Sequence, residues 1–481
     1  MHLPIFNEQY VVRRLLRACT EMARTYDKDR VHIMILDDSD DETSSIIDEE
    51  VNHYRTADFH INVIRRRSRD GAKAGALQNA LEQTVEEYVA IFDADFIPKS
   101  DFLLQTVPIV VHDPKIAIVQ TRWDHLNHDY NSVTKAISLG IDGHFFIDQA
   151  SRYSSGWLLN FNGSGGLIRV KALTEVGGWD DDTLAEDLDV SYRIQLQGYK
   201  IHYLRDYSVP GEIPPTISSF KRQQGRWACG SLQVARKMIP SLLRNKTGKM
   251  IKLEGLLHLT YYLVHPLIFT SFLLASISAI LNLDVIGIPR PDSIPAGDSM
   301  VQIISTIVSE SILQYPILVL FGSIIVVSWS AAWMFYITTL RLKGESIRGN
   351  LLNLIMIGFI GYGISVSNTI QALKALRKRK YPFMRTPKYA VRVSGDTWKN
   401  KRYHVPLDVT IVAETAAIIL GALGIIVAIS NSNYGIIPIL ALYVTAYGLV
   451  AGLTLFSSQG DAPRTRIPVI SVVEPLSHGV K

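Results

Sequence analysis

The feature that most limits what this chain can fold into is a set of long apolar runs confined to its second half. A helix needs about twenty consecutive apolar residues to cross the hydrocarbon core of a bilayer. Five stretches after Lys249 reach about that length: Leu259–Leu283, Ser311–Leu340, Leu351–Leu373, Leu407–Ser430 and Tyr434–Phe456. Basic residues mark the cytosolic side, and three basic stretches flank these runs: Arg236 to Lys252, Arg341 to Arg348, and Lys374 to Arg402. If all three share a side, the first two runs go out and back, with Asn282 to Ser299 outside. The last two runs then do the same and leave the C-terminal tail cytosolic. Leu351–Leu373 carries Gly358, Gly361, Gly363, Ser365, Ser367 and Asn368, and it reads as an interfacial amphipathic helix. Four spans are expected, or five if that segment also crosses.

The first half has another character. Val31–Leu36 is a short apolar run ending in Asp37, Asp38 and Asp40; Tyr88–Phe92 repeats the pattern and ends in Asp93-Ala-Asp95. Helical stretches lie between, including Lys73 to Glu86. Strand–helix alternation implies an α/β fold with a mainly parallel sheet, whose ligands sit beyond the carboxyl ends of the strands. Either acidic cluster alone is explained as turn or cap aspartates; two at equivalent strand ends point to a ligand. Met1 to Glu8 reads as the end of a first strand and its loop, so most of that strand, and any membrane helix ahead of it, would lie upstream. A net charge of only +4 over 481 residues gives no general attraction for nucleic acid, and none is expected as a partner. Two cysteines, Cys19 and Cys229, are too few for a disulfide framework.

Several residues carry chemistry. Carboxylates two apart, Asp93 and Asp95, suit a hard divalent cation that also takes diphosphate oxygens. Lys73, among Gly71, Ala72, Ala74 and Gly75, adds a cation beside flexible backbone. At Thr183-Leu-Ala-Glu186-Asp187 the spacing predicts a capping box opening a helix, with Leu184, Leu188, Tyr192 and Leu196 at helical intervals and Gly198 at its end. Glu186, Asp187 and Asp189 put more acid there than a cap requires. Trp123, Trp179 and Trp227 need a core or a ligand, and the core is the commoner fate.

The order Asp37-Asp38, Ala72-Lys73-Ala-Gly75, Asp93-Ala-Asp95, Phe161-Asn162-Gly163-Ser164, Gly177-Gly-Trp179, Glu186-Asp187 and Gln223-Gln-Gly-Arg226-Trp227 resembles processive family 2 glycosyltransferases. The resemblance runs closest to plant cellulose synthase-like mannan and glucomannan synthases and their prokaryotic relatives. Each motif is weak alone; seven in order are specific. The resemblance implies a GT-A-type nucleotide-sugar-binding α/β domain over residues 1–240, cytosolic, followed by an α-helical transmembrane region over residues 241–481. In it, Asp38 would contact the nucleotide base; Lys73, Asp93, Gln223, Arg226 and Glu8 would hold the rest of the donor, a UDP- or GDP-sugar. Asp95 with Asp93 would coordinate Mg²⁺ or Mn²⁺. Asp187 would be the general base, grouped with Glu186, for which a capping role alone would also account. Trp227, Trp123, Asn162, Gly163 and Ser164 would face the acceptor. Phe383-Met-Arg-Thr386-Pro-Lys388 resembles a gating loop, placed within residues 374–405. One departure is Ala185, where many members carry Thr.

The activity so implied is inverting transfer that extends a β-linked polysaccharide and translocates it through an integral protein of the plasma membrane, in contact with lipid. The alternative is transfer of a single sugar to a lipid acceptor. An inactive scaffold fits poorly with an intact acid pair.

Overall fold

The computed structural model describes residues 1–283, 316–377, 381, 383–399 and 401–457. Its first part alternates β1 (His2–Ile5), α1 (Val12–Tyr26), β2 (Ile33–Asp37), α2 (Thr43–Thr56), β3 (Ile61–Ile64), α3 (Ala72–Leu81), β4 (Tyr88–Ile91), α4 (Phe102–His112) and β5 (Ile116–His125). There follow α5 (Ser132–Gly143), a π-helical turn leading into α6 (Ala150–Ser154), β6 (Gly166–Arg169), α7 (Val170–Glu175), α8 (Glu186–Leu196), β7 (Lys200–Gly211) and the long α9 (Ile217–Arg244).

Every residue of β1 and β2 is buried, as a parallel strand covered on both faces requires. Alternation sorts the side chains: Ile33 and Ile35 pack with α1, α2 and α4 on one face, Met34 and Leu36 with α3 and α8 on the other. The seven strands lie in the order β3-β2-β1-β4-β6-β5-β7. All pairs are parallel except those of β6, which runs antiparallel between β4 and β5. The expected mainly parallel sheet is therefore present, with β1 in its interior. The helix expected from Lys73 to Glu86 stops earlier, at Leu81; the Thr84 hydroxyl donates to the Ala80 carbonyl at 2.7 Å and closes the turn.

Membrane-type helices follow α10 (Lys249–Leu259): α11 (Val264–Ile280), α12 (Pro316–Lys343), α13 (Leu351–Gly363), α14 (Ser365–Ala375), α15 (Thr410–Ser430) and α16 (Ile437–Ser457). Among the described residues three segments are long and apolar enough to cross a membrane: Tyr261–Ile280, Thr410–Ser430 and Tyr434–Ser457. The expected span Ser311–Leu340 begins outside the described residues and continues as α12; the expected external loop falls almost wholly outside them. Leu351–Leu373 needs correction. The single continuous helix is replaced by two helices bent by 44°, and both are packed against the first half. Leu354, Ile357 and Ile360 of α13 meet Val133 and Ile137 of α5 and Phe220 of α9, while Ala372 and Ala375 of α14 meet Ala228 and Cys229. Gly363 permits the bend to sit close: a Cβ there would lie 2.6 Å from the Ala446 carbonyl oxygen of α16.

Candidate active site

Three neighbouring strand ends deliver carboxylates to one cavity, as open parallel sheets do. Glu8 follows β1, Asp38 follows β2, and Asp93 and Asp95 follow β4; all four line it. Asp38 is held bidentately by the Arg66 guanidinium. Burial pushes the Glu8 carboxyl up to about 7, against the pull of Arg385. Lys73, from the first turn of α3, spans the cavity floor. Its ammonium lies 2.6 Å from Asp93 and 3.6 Å from Glu186, and donates to the Gly163 carbonyl at 3.0 Å. Burial alone would lower its pKa, but Asp93 and Glu186 outweigh that and raise it.

The acid pair opens α8. Thr183 does not cap it: the N-cap is Ala185, without a side-chain cap bond, and the Thr183 hydroxyl is buried with no partner among the described residues. The capping-box expectation is thus wrong, because the helix begins three residues later, at Glu186. Asp189 is satisfied structurally by Arg193 and Lys237. Asp187 differs: burial and the adjacent Glu186 carboxylate raise its pKa, with Lys73 and Arg226 opposing. Gly163 gives it room. A Cβ on Gly163 would lie 2.8 Å from Asp187 Oδ2, and its φ of +81° belongs to glycine.

Gln223, Arg226 and Trp227 project from one face of α9 at i, i+3 and i+4, and all line the cavity. Thr216 caps this helix by accepting from the Ser219 N–H. Gly230 lets α9 approach the segment before α8, since a Cβ there would meet Ala185 at 2.9 Å. That contact also places the departure at Ala185: a small side chain pressed on α9. Gln223 Oε1 is buried without a hydrogen-bond partner among the described residues, as is Thr386 Oγ1. Two such orphans facing one cavity ask for a ligand.

Thr386 comes from the second half. Phe383, Arg385, Thr386 and Lys388 all line the same cavity. The Arg226 guanidinium lies 4.5 Å from the centre of the Phe383 ring, and the Lys388 ammonium pairs with Asp95. Buried Glu212 anchors the loop, accepting the N–H groups of Tyr389 at 2.9 Å and Ala390 at 3.1 Å while paired with Arg14. Glu212 was not expected as a site residue. It follows β7 directly, so the pattern of acids at strand ends was the available signal. Arg69 and Arg385 line the cavity as well without having been expected there, Arg385 from within the Phe383–Lys388 motif at a position to which the resemblance gives no role.

The remaining expected residues divide. Trp123 and Asn162 line the cavity, although the Trp123 indole N–H is committed to the Ser164 carbonyl at 3.0 Å. Ser164 and Gly163 stand behind the wall: Ser164 Oγ accepts the Asp93 N–H at 3.0 Å, and Gly163 receives Lys73. An acceptor contact from Ser164 is therefore replaced by a positioning role, because its side chain is fully buried. Trp179 is core. Among the described residues no three His, Cys, Asp or Glu side chains form a ready ligand set for a metal. Asp93 and Asp95 still fit a hexacoordinate cation of the kind that takes one or two carboxylates plus phosphate and water oxygens, and each already faces a lysine ammonium.

Comparison with known proteins finds glycosyltransferases. A probable glucomannan 4-beta-mannosyltransferase 4 from Oryza sativa subsp. japonica is 38% identical over 265 residues, covering 54% of this chain and 47% of the relative. Glucomannan 4-beta-mannosyltransferase 2 from Arabidopsis thaliana is 38% identical over 256 residues, covering 52% and 48%. The chain thus spans about half the length of the curated relatives it matches. Among solved structures, a mannosyltransferase from Pyrobaculum calidifontis in complex with GDP-Man and Mn²⁺ shares 21% identity at a TM-score of 0.42, over 55% of this chain and 68% of that one. Residues 88–340 match the family described as glycosyl transferase family group 2. With its GT-A-like sheet, its acids at the strand ends and this match, the chain belongs to glycosyl transferase family group 2.

Proposed function

We propose that this protein is a membrane-bound inverting glycosyltransferase that extends a β-linked mannan or glucomannan from a nucleotide-sugar donor. The observation that carries the reading is the position of Asp187. It shares one cavity with the cations Lys73 and Arg226 and the rings of Trp227 and Trp123.

The donor fits with its base toward Asp38, its diphosphate toward Gln223 and Arg226, and its sugar toward Lys73 and Asp93. Asp93 and Asp95 would hold Mg²⁺ or Mn²⁺, which when bound offsets diphosphate charge. The acceptor hydroxyl oxygen forms a bond to the anomeric carbon as the bond to the diphosphate breaks. Its proton passes to Asp187, within hydrogen-bond reach as a general base must be. Arg226 and Lys73 stabilise the charge that develops on the leaving group. One displacement inverts the centre, so an α-linked donor yields a β-linked product. Phe383, Thr386 and Lys388 close the cavity and exclude water. In this reading residues 1–240 form the cytosolic catalytic domain, and residues 241–481 supply the helices that pass the glycan across the plasma membrane.

The test is to incubate membranes carrying the protein with a panel of UDP- and GDP-sugars and size the product. A long β-linked mannose-containing polymer is expected. A single glycolipid would overturn polymer extension and establish transfer to a lipid acceptor instead.

A further inference from the structure

The cavity wall contains an imidazole to which none of these roles has been given. His125 closes β5, two residues after Trp123, so both side chains leave the same face of the strand, and both line the cavity. His125 Nε2 lies 2.9 Å from Asp142 Oδ1, and the Lys343 ammonium takes Asp142 Oδ2 at 2.6 Å. The imidazole and carboxylate are almost fully buried, at 3% and 1% side-chain exposure, with the imidazole at the cavity wall. Burial alone would raise the Asp142 pKa, but His125 and Lys343 outweigh it and hold the carboxyl below its ordinary range.

This arrangement fixes the tautomer. An ionised carboxylate only accepts, so Nε2 carries the proton, and in a neutral ring Nδ1 is then an acceptor. Nδ1 hydrogen bonds to no described residue. Ile141 and Ile213 line the same cavity, so its wall joins apolar and aromatic side chains to the acceptor nitrogen of His125, alongside the carboxylates of Asp124 and Glu212. That combination suits a sugar ring, which offers C–H faces for stacking and hydroxyls that donate.

We propose that His125, oriented by Asp142 and Lys343, is an acceptor-binding residue whose Nδ1 accepts a hydrogen bond from a hydroxyl of the glycan next to Trp123. The proposal rests on the glycosyltransferase reading above.

Two substitutions separate binding from structure. His125→Gln can keep a donor near the Nε2 position for Asp142 and offers nothing at Nδ1. His125→Asn places a polar group near Nδ1 and gives up Asp142. The full-length protein in detergent is titrated with a soluble β-linked manno-oligosaccharide, followed by tryptophan fluorescence, and separately with GDP-mannose. Acceptor KM is measured alongside, and thermal melting reports folding. His125→Gln should weaken oligosaccharide affinity roughly three- to tenfold, the range for one hydrogen bond. His125→Asn should weaken it less, while melting at a lower temperature than His125→Gln. Affinity for GDP-mannose should stay within about twofold of wild type for both, since neither substitution alters a residue that holds the donor in this reading.

A purely structural His125 predicts the reverse order, with Asn the worse binder, and that result would overturn the proposal. Equal affinities for Gln and wild type would do the same, as would a wild-type protein that binds no oligosaccharide. A wild type that binds oligosaccharide but transfers no sugar from any donor would sink the glycosyltransferase reading alone, and the Gln–Asn order would still decide the part played by His125.

Discussion

Asp187 and Asp189, two positions apart on one helix and of like charge, meet different surroundings. Asp189 is neutralised by Arg193 and Lys237. Among the described residues Asp187 has no such close pair; burial and the Glu186 charge raise its pKa toward the working range of a base. Asp187→Asn should lower transfer by roughly 100- to 10,000-fold while leaving the donor dissociation constant little changed. Turnover compared with equilibrium binding checks this, and near-normal turnover would remove Asp187 from the role. The pH dependence has a definite sign. The base works deprotonated, so kcat/KM rises with pH through its raised pKa, and its acid limb lies well above the ordinary aspartate value of about 4. The same group contributes to stability below its unfolded pKa, and that contribution is lost as pH rises through the folded one. Turnover and stability should therefore move in opposite directions across this window.

At the scale of elements, α9 carries both the donor-binding face and the seam with the membrane helices. Lys221, two residues before Gln223, is paired at 2.5 Å with Glu414 of α15, at side-chain exposures of 2% and 0%. Removing one partner strands a buried charge at a cost of about 3–5 kcal/mol, whereas replacing both by apolar groups can be nearly neutral. Lys221→Met should thus be less stable than the Lys221→Met/Glu414→Leu double variant, as thermal unfolding in detergent would show; equal or additive losses would contradict it. The cavity loop depends on Glu212 in a comparable way. Glu212→Ala removes the acceptor of two loop N–H groups and the partner of Arg14. Amide exchange at Tyr389 and Ala390 should rise by more than tenfold, given about 1.5–3 kcal/mol for hydrogen bonds to a charged group. Protection in β1 and β2 should stay unchanged. Loss of protection across the whole sheet would mean that Glu212 holds the domain rather than the loop.

At the scale of the whole molecule, the two halves are less separable than their compositions suggest. Val133, Ile137 and Phe220 of the first half share a core with Leu340, Leu354 and Ile360 of the second. The second half also supplies Arg385, Thr386 and Lys388 to the cavity. A fragment of residues 1–244 should therefore expose this apolar face, associate in the absence of detergent, and bind nucleotide sugar more weakly than the full chain. Size-exclusion chromatography and donor titration would test both expectations. A monodisperse fragment with native donor affinity would show that the halves are independent.

Much of this was written in local sequence. Apolar runs ending in Asp38, Asp93 and Asp95 fixed strands whose ends meet, because a parallel sheet brings equivalent ends to one edge. The i, i+3, i+4 spacing of Gln223, Arg226 and Trp227 fixed a shared helical face in the same manner. The start of α8 misled, since Thr183 and Glu186 satisfy a capping pattern that the packing of Ala185 against Gly230 overrides. The roles of Glu212, His125 and Ser164 were decided only by tertiary structure. Each depends on a partner far along the chain: a loop N–H at Tyr389, the Asp142–Lys343 pair, the N–H of Asp93. Local periodicity reports which face a residue occupies. What stands opposite that face is set by the packing of elements that no local pattern relates.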